Sequence, residues 1–385
     1  MYKRHVFFYT ILRPIVGAFL FLRFGYRYKK VYNLPDNYIV LSNHVTDYDP
    51  LFVGVCFPRH MYFVASEHIS RWKFAYKLIQ YVLKPIIRPK GTTASSTVME
   101  MIRNLRNGIN VCLYPEGARS WDGVTAPILA STGKMVKSAK CGMVTFRIEG
   151  GYFVSPNWSF GNSRIGRIRG GVVNVYPPEQ IASMSVEEIN DAITGDLHED
   201  AYERQLASPA KYKGKNLAQC MENMISHCPG CNSIDTLESK GNEVKCNKCG
   251  QVFSYDEYGM LNGIPYKTVK ELFEWQKHQI EKDAESGVTY TAPDGTLTTL
   301  VDHIERPISE GAIYLNREQL VCGDKVIPLK DITDMAMHGR RTLVFSTAKE
   351  YYELIPVQSA NALKFHMLYQ MYKNGRIDHY NGRTR

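Results

Sequence analysis

Tyr38-Ile39-Val40-Leu41-Ser42-Asn43-His44-Val45-Thr46-Asp47-Tyr48-Asp49-Pro50 reads as a strand that runs straight into a histidine turn. The unbroken apolar run Tyr38 to Leu41 fits a strand covered on both faces. Thr46, Asp47 and Asp49 suit a helix start, and Pro50 suits a first helical turn. A strand-to-helix turn here carries Asp49 back beneath the imidazole of His44. A carboxylate on one ring nitrogen leaves the other able to take a proton. Loops at strand ends are also where rigid sheets hold catalytic groups. A capped helix start with an incidental histidine fits the same residues.

A second apolar strand also ends in a charged turn: Val111-Cys112-Leu113-Tyr114-Pro115-Glu116-Gly117-Ala118-Arg119-Ser120. Together, Asn-His-x-x-x-x-Asp-Pro and Tyr-Pro-Glu-Gly-x-Arg-Ser resemble the first and third signature blocks of the glycerolipid acyltransferases, the lysophosphatidic acid acyltransferase family. Their order and separation are similar too. Ile86-Ile87-Arg88 resembles the end of the second block, with Val82 and Pro85 where the family has glycine and phenylalanine. In place of the fourth block stands Arg147-x-Glu149-Gly150-Gly151-Tyr152, which resembles a bacterial subgroup, as does Tyr212-Lys213-Gly214-Lys215-Asn216.

The resemblance implies transfer of a fatty acyl group from acyl-CoA or acyl-carrier protein to the free hydroxyl of lysophosphatidic acid, giving phosphatidic acid. It implies His44 as base, oriented by Asp49, with Arg88, Glu116 and Gly117 around the acceptor and Arg119 close by. The residue chemistry is compatible. Arg88 offers a bidentate fork for phosphate, and Gly117 allows close backbone approach. Glu116 cannot bind phosphate, so it takes a glycerol hydroxyl or fixes an arginine. Cys112 lies inside an apolar strand and reads as core rather than nucleophile. Glycerol-3-phosphate or another lysophospholipid fits the same blocks as acceptor. A non-enzymatic, membrane-bound adaptor is the reading from a different class.

Composition points to an anionic partner. The chain has 385 residues, a hydrophobic fraction of 44% and a formal net charge of +9. Residues 1–35 carry seven Lys or Arg and no Asp or Glu. The run Val6 to Phe24 is almost wholly apolar but holds Arg13-Pro14. A spanning helix needs roughly 20 apolar residues, and a charge at its centre is costly. The expectation is therefore an interfacial, monotopic segment, with Arg23, Arg27, Lys29 and Lys30 reaching the phosphates of an anionic membrane surface. A core helix and a spanning signal-anchor are the competing readings. Nine cysteines, four of them clustered, do not form a disulfide framework. They suit a reducing cytosol and the cytoplasmic face of the cell membrane.

Strands alternate with helices through Tyr176, which predicts an α/β domain: a mixed, largely parallel sheet flanked by helices. Further on, Cys228-Pro229-Gly230-Cys231 and Cys246-Asn247-Lys248-Cys249 are paired CxxC knuckles. Four thiolates so spaced suit structural Zn2+ in a closed tetrahedral site, a zinc ribbon. Short strands and a final helix, Ala360 to Tyr372, then suggest a small β-rich domain whose pattern resembles a pleckstrin-homology barrel. The divisions read as a membrane-associating segment (1–35), an acyltransferase domain (36–220), the ribbon (221–256), a linking helix (257–286), the β-rich domain (287–375) and a basic tail (376–385). The ribbon is neither strongly basic nor rich in interleaved aromatics, so no nucleic-acid partner is expected.

Overall fold

The computed structural model describes residues 2–66, 69, 74–88, 95–301 and 304–377. The chain divides into two compact units, Met1–Ser155 with Arg164–Ala210, and Pro156–Ser163 with Lys211–Arg385.

The first unit contains, in order, α1 (Tyr2–Phe24), β1 (Arg27–Tyr28), β2 (Tyr38–Ser42), α2 (Asp49–Gly54), β3 (Met61–Ser66), α3 (Phe74–Val82), β4 (Ile86–Arg88), α4 (Ser95–Arg106), β5 (Asn110–Leu113), α5 (Ser131–Ala139), β6 (Gly142–Glu149), α6 (Gly151–Val154), β7 (Arg169–Tyr176), α7 (Pro178–Ser183), α8 (Val186–Leu197) and α9 (Ala201–Ala207). One sheet has the order β1-β7-β6-β2-β5-β3-β4. Strands β2 to β6 run parallel, and β7 lies antiparallel to β6. This is the expected mixed, largely parallel sheet. Every residue of β2 is buried, as a central strand covered on both faces requires. Ile39, Leu41, Val111 and Met143 of the sheet pack with Leu105, Val136, Ile189 and Ile193 of the helices. Each such side chain contributes about 1.5–3 kcal/mol on burial.

Local signals account for several boundaries. Ser185 and Glu188 form a reciprocal capping box at the start of α8, as their spacing predicts. The aromatic-rich, amphipathic run Ser66 to Leu83 reads from sequence as one helix; it lies partly outside the described residues, is helical from Phe74 to Val82, and begins with Ser66 still in β3. The short strand β4 has no periodicity of its own. It exists because β3 pairs with it, Ser66 opposite Arg88.

Helix α1 lies along the first unit with one side. His5 Nδ1 is 3.0 Å from Tyr62 Oη. The Tyr9 hydroxyl donates to Phe57 O at 2.9 Å, and Arg13 Nη1 donates to the same oxygen at 2.7 Å. Phe24 packs on Phe52, with ring centroids 5.6 Å apart. The other side shows Phe7, Ile11, Ile15, Phe19 and Leu22 to the exterior.

The second unit begins with the antiparallel sheet β8 (Leu237–Lys240), β9 (Glu243–Cys246), β10 (Val252–Tyr255) and β11 (Leu261–Asn262), followed by α10 (Val269–Glu285). Then come β12 (Tyr290–Ala292), β13 (Gly295–Val301), β14 (Ile304–Glu310), β15 (Ile313–Leu315), β16 (Gln319–Cys322), β17 (Lys325–Pro328), β18 (Asp334–His338), β19 (Thr342–Ser346), β20 (Tyr351–Pro356) and α11 (Ala362–Asn374). They form two antiparallel sheets, β12-β15-β16-β17 and β14-β13-β20-β19-β18. The sequence pattern reads as strands at Val288 to Thr291, Thr296 to Leu300, Ala312 to Leu315, Leu320 to Val321, Val326 to Leu329, Thr342 to Ser346 and Tyr351 to Ile355, but not over β14 or β18, because neither shows a clean apolar alternation. Helix α11 is buried from Ala362 to Gln370, which encloses even Lys364. That ammonium pairs with Asp235 and donates to Thr291 O at 2.7 Å, as a buried charge must.

Candidate active site

The carboxyl ends of β2 and β5 lie side by side, since the two strands are paired neighbours. In open α/β sheets this edge is where ligands bind. His44 follows β2, and the Glu-Gly turn follows β5.

Asp49, in the first turn of α2, is wholly buried. Its carboxylate receives Val45 N at 2.7 Å, Thr46 N at 3.0 Å and the Thr46 hydroxyl at 2.6 Å. His44 Nδ1 lies 2.8 Å from Asp49 Oδ2. A carboxylate so placed accepts, so Nδ1 carries the proton and Nε2 presents a lone pair. The imidazole is partly exposed, at 23%. One face of it stacks on Tyr114, with centroids 4.5 Å apart and planes 23° from parallel.

The backbone of the turn is held from both sides. Glu116 Oε1 accepts His44 N at 2.7 Å, and Oε2 accepts Ala126 N at 2.7 Å. Glu116 is 1% exposed. Burial pushes its carboxyl up to about 8, against the pull of the Ala126 and His44 N–H groups. Arg119 donates from Nε to Val45 O at 3.2 Å and from Nη2 to Ser155 O at 2.6 Å, and its Nη1 lies 2.9 Å from Asp47 Oδ2. Ser120 N donates to His44 O at 3.3 Å. On the far side, the Asn43 side chain exchanges two hydrogen bonds with the Ile148 backbone, at 2.9 and 2.8 Å. A Cβ at Gly151 would meet Val45 Cγ2 at 2.5 Å, so glycine there lets the start of α6 close against the turn.

Gly117 sits exposed at φ +76°, a conformation that favours glycine. Arg88 ends β4, three strands from β2 in the sheet order. The pairing register brings it level with Asn43, about 14 Å away at a strand spacing near 4.8 Å. Its Nη2 is buried and makes no hydrogen bond among the described residues.

The structure thus brings together His44, Asp49, Glu116 and Arg119, and leaves Arg88 across the same edge. The sequence reading sets Glu116 and Arg119 around the acceptor; the structure places both against the backbone of the histidine turn. Thr46 and Tyr114 go unremarked as site residues in the sequence reading. Thr46 carried a signal, a hydroxyl three residues before Asp49, but it was absorbed into the helix-start pattern. The Tyr114 stack depends on strand pairing and left no local signal.

In the second unit, Cys228, Cys231, Cys246 and Cys249 converge, with all four sulfurs within 4.8 Å of one another. Cys228 and Cys249 Sγ are 3.7 Å apart, and Cys231 and Cys246 Sγ 3.8 Å. A tetrahedron with Zn–S bonds of about 2.3 Å has edges of about 3.8 Å, so the four thiols fit a zinc ion. Gly230 N donates to Cys228 Sγ at 3.4 Å. The residue after each knuckle, Asn232 (φ +56°) and Gly250 (φ +79°), is left-handed. Both knuckles therefore turn alike, and a tetrahedral ion held by all four sulfurs would have no position open for catalysis.

Residues 26–149 match the family model described as Acyltransferase. Among solved structures, the 1-acyl-sn-glycerophosphate (LPA) acyltransferase PlsC from Thermotoga maritima is similar. It is 19% identical with a TM-score of 0.44, and the match covers 52% of this chain and 80% of that one. No curated protein matches the chain.

Proposed function

Starting from a chain whose residues 26–149 match the Acyltransferase family model, we propose that it moves a fatty acyl group from acyl-CoA or acyl-carrier protein to the free hydroxyl of lysophosphatidic acid, giving phosphatidic acid. The observation that carries this reading is the His44–Asp49 pair, with Nε2 free to accept a proton. His44 removes the acceptor's hydroxyl proton as the oxygen attacks the thioester carbonyl. The tetrahedral adduct collapses: the C–O bond stays, the C–S bond breaks, and the proton on His44 passes to the departing thiolate. Asp49 holds the imidazole and stabilises its cationic form. Arg88, with a buried N–H group unsatisfied by the described residues, takes the acceptor's phosphate. The gap from Arg88 to His44 is one that an arginine side chain and a glycerol phosphate together bridge.

The membrane surface supplies the acceptor. Helix α1 is 23 residues long and holds an 18-residue window with a mean hydropathy of 1.7, which is long and apolar enough to cross a membrane. Its contacts run from His5 to Phe24 along one side, so it is held lengthwise on the domain. That supports a monotopic seat, with the exposed apolar face in the lipid and the flanking lysines and arginines at headgroup phosphates. Residues 1–210 carry 25 Lys or Arg against 16 Asp or Glu, and residues 211–385 carry 22 of each. The positive surplus therefore belongs to the half that bears α1 and the site, as an anionic surface on the cytoplasmic face of the cell membrane requires.

The test is purified full-length protein with labelled acyl-CoA, labelled acyl-carrier protein and a panel of lysophospholipids and glycerol-3-phosphate. The expected product is phosphatidic acid. His44→Ala should lose turnover by about 10³-fold with its fold retained, and Arg88→Ala should raise the acceptor KM far more than the donor KM. A product from another acceptor reassigns the substrate. Retained turnover in His44→Ala removes the mechanism, and no turnover with any acceptor favours the adaptor reading.

A further inference from the structure

The third signature block does something its usual reading does not include. Between them, Glu116, Arg119 and Ser120 engage the N–H and C=O of His44 and the C=O of Val45. We propose that Glu116 and Arg119 are positioning residues that hold His44 at its working height. The proposal rests on reading His44 as the base.

A phosphate ligand needs N–H groups aimed into open space. Arg119 is 7% exposed, and its three nitrogens are directed at Val45 O, Ser155 O and Asp47. The two carbonyl bonds tie together the histidine turn and the segment that ends α6. The Asp47 bond reaches water, since that aspartate is 61% exposed, and exposed pairs of this kind contribute little. Glu116 is more deeply enclosed, with each oxygen on a backbone N–H. Burying a carboxyl costs free energy unless it is hydrogen-bonded. These bonds offset that cost and fix two loops at once.

The turn also has no slack on its other side. Asn43 is laced to Ile148, and Val45 lies where a Cβ on Gly151 would clash. Loosening one side therefore lets the imidazole shift rather than the whole unit. A base must be held within about 0.5 Å of its working position, and a displacement near 1 Å can cost about 10²-fold in rate.

The experiment is steady-state kinetics on the full chain with lysophosphatidic acid and acyl-CoA. It is paired with amide hydrogen exchange of the peptide covering residues 43–48. Arg119→Gln and Glu116→Gln should lower kcat by about 10²-fold with the acceptor KM within about threefold. Arg88→Ala provides the opposite split as a control. Exchange at residues 43–48 should quicken in both glutamine variants while exchange in residues 211–385 stays unchanged. If Arg119→Gln folds poorly, Arg119→Lys keeps the charge without the planar fork and should show the same split at smaller size. A tenfold rise in acceptor KM with kcat retained would assign Arg119 to the phosphate and overturn the proposal. Unchanged exchange at 43–48 would overturn it as well. Failure of the acyltransferase reading itself would instead show as full activity in His44→Ala, or as no activity in the wild type, while the exchange result still decides the brace.

Discussion

Asp49 illustrates how a single side chain is specified. Its carboxylate has four neighbours within five residues of chain: His44, Val45, Thr46 and the Thr46 hydroxyl. Contacts that local follow from the turn, so the His–Asp pairing was legible in the spacing. The bond from Glu116 to His44 N spans 72 residues and was not legible, because it depends on which strand lies beside β2. Glu116 also carries a pH signature. Its folded-state value is raised to about 8 by burial, above the unfolded value of about 4.3. A raised acid contributes stability that is fully present below the unfolded pKa and lost as pH rises through the folded one. The melting temperature of the wild type relative to Glu116→Gln should therefore fall between about pH 4.3 and pH 8. A difference that is flat across that window would mean the carboxyl ionises as in the unfolded chain.

Among elements, α1 shows what composition leaves open. Its apolar length fits a spanning helix, a core helix or an interfacial one. Its contacts are one-sided: Tyr9 and Arg13 reach the carbonyl of Phe57, while Phe7, Ile15 and Leu22 stay exposed at 60, 61 and 74%. Changing those three to serine should abolish sedimentation with vesicles rich in anionic lipid and leave the circular dichroism spectrum unchanged, since none of them is packed inward. Unchanged sedimentation would place the lipid-facing surface elsewhere. Helix α8 was simpler to read, because the Ser185–Glu188 capping box marks its start. Strands β14 and β18 resisted reading because their edges follow their partners rather than their own alternation.

At the scale of the whole molecule, the second unit joins the four-cysteine sheet, α10, two antiparallel sheets and α11 into one compact body. Asp235, four residues past Cys231, pairs with Lys364 inside α11, so the ribbon and the terminal helix share a buried ion pair. Breaking such a pair by removing one partner costs about 3–5 kcal/mol. Metal in the four-cysteine site should therefore stabilise more than its own knuckles. The purified chain is expected to hold one zinc, and chelation under reducing conditions should lower the unfolding temperature of residues 211–385 and speed amide exchange in α11. Unchanged exchange in α11 after full zinc removal would separate the ribbon from the rest of the unit. By itself the sequence determined the α/β alternation, the histidine turn with its aspartate, and the cysteine knuckles, because periodicity and short spacing are local and survive any rearrangement of distant parts. Only the tertiary structure decided that Glu116 and Arg119 grip the backbone of that turn, that Tyr114 lies under the imidazole, and that α1 rests on the domain. Those contacts join residues far apart in the chain, and the order of strands in the sheet, which brings them together, is written in no single stretch of it.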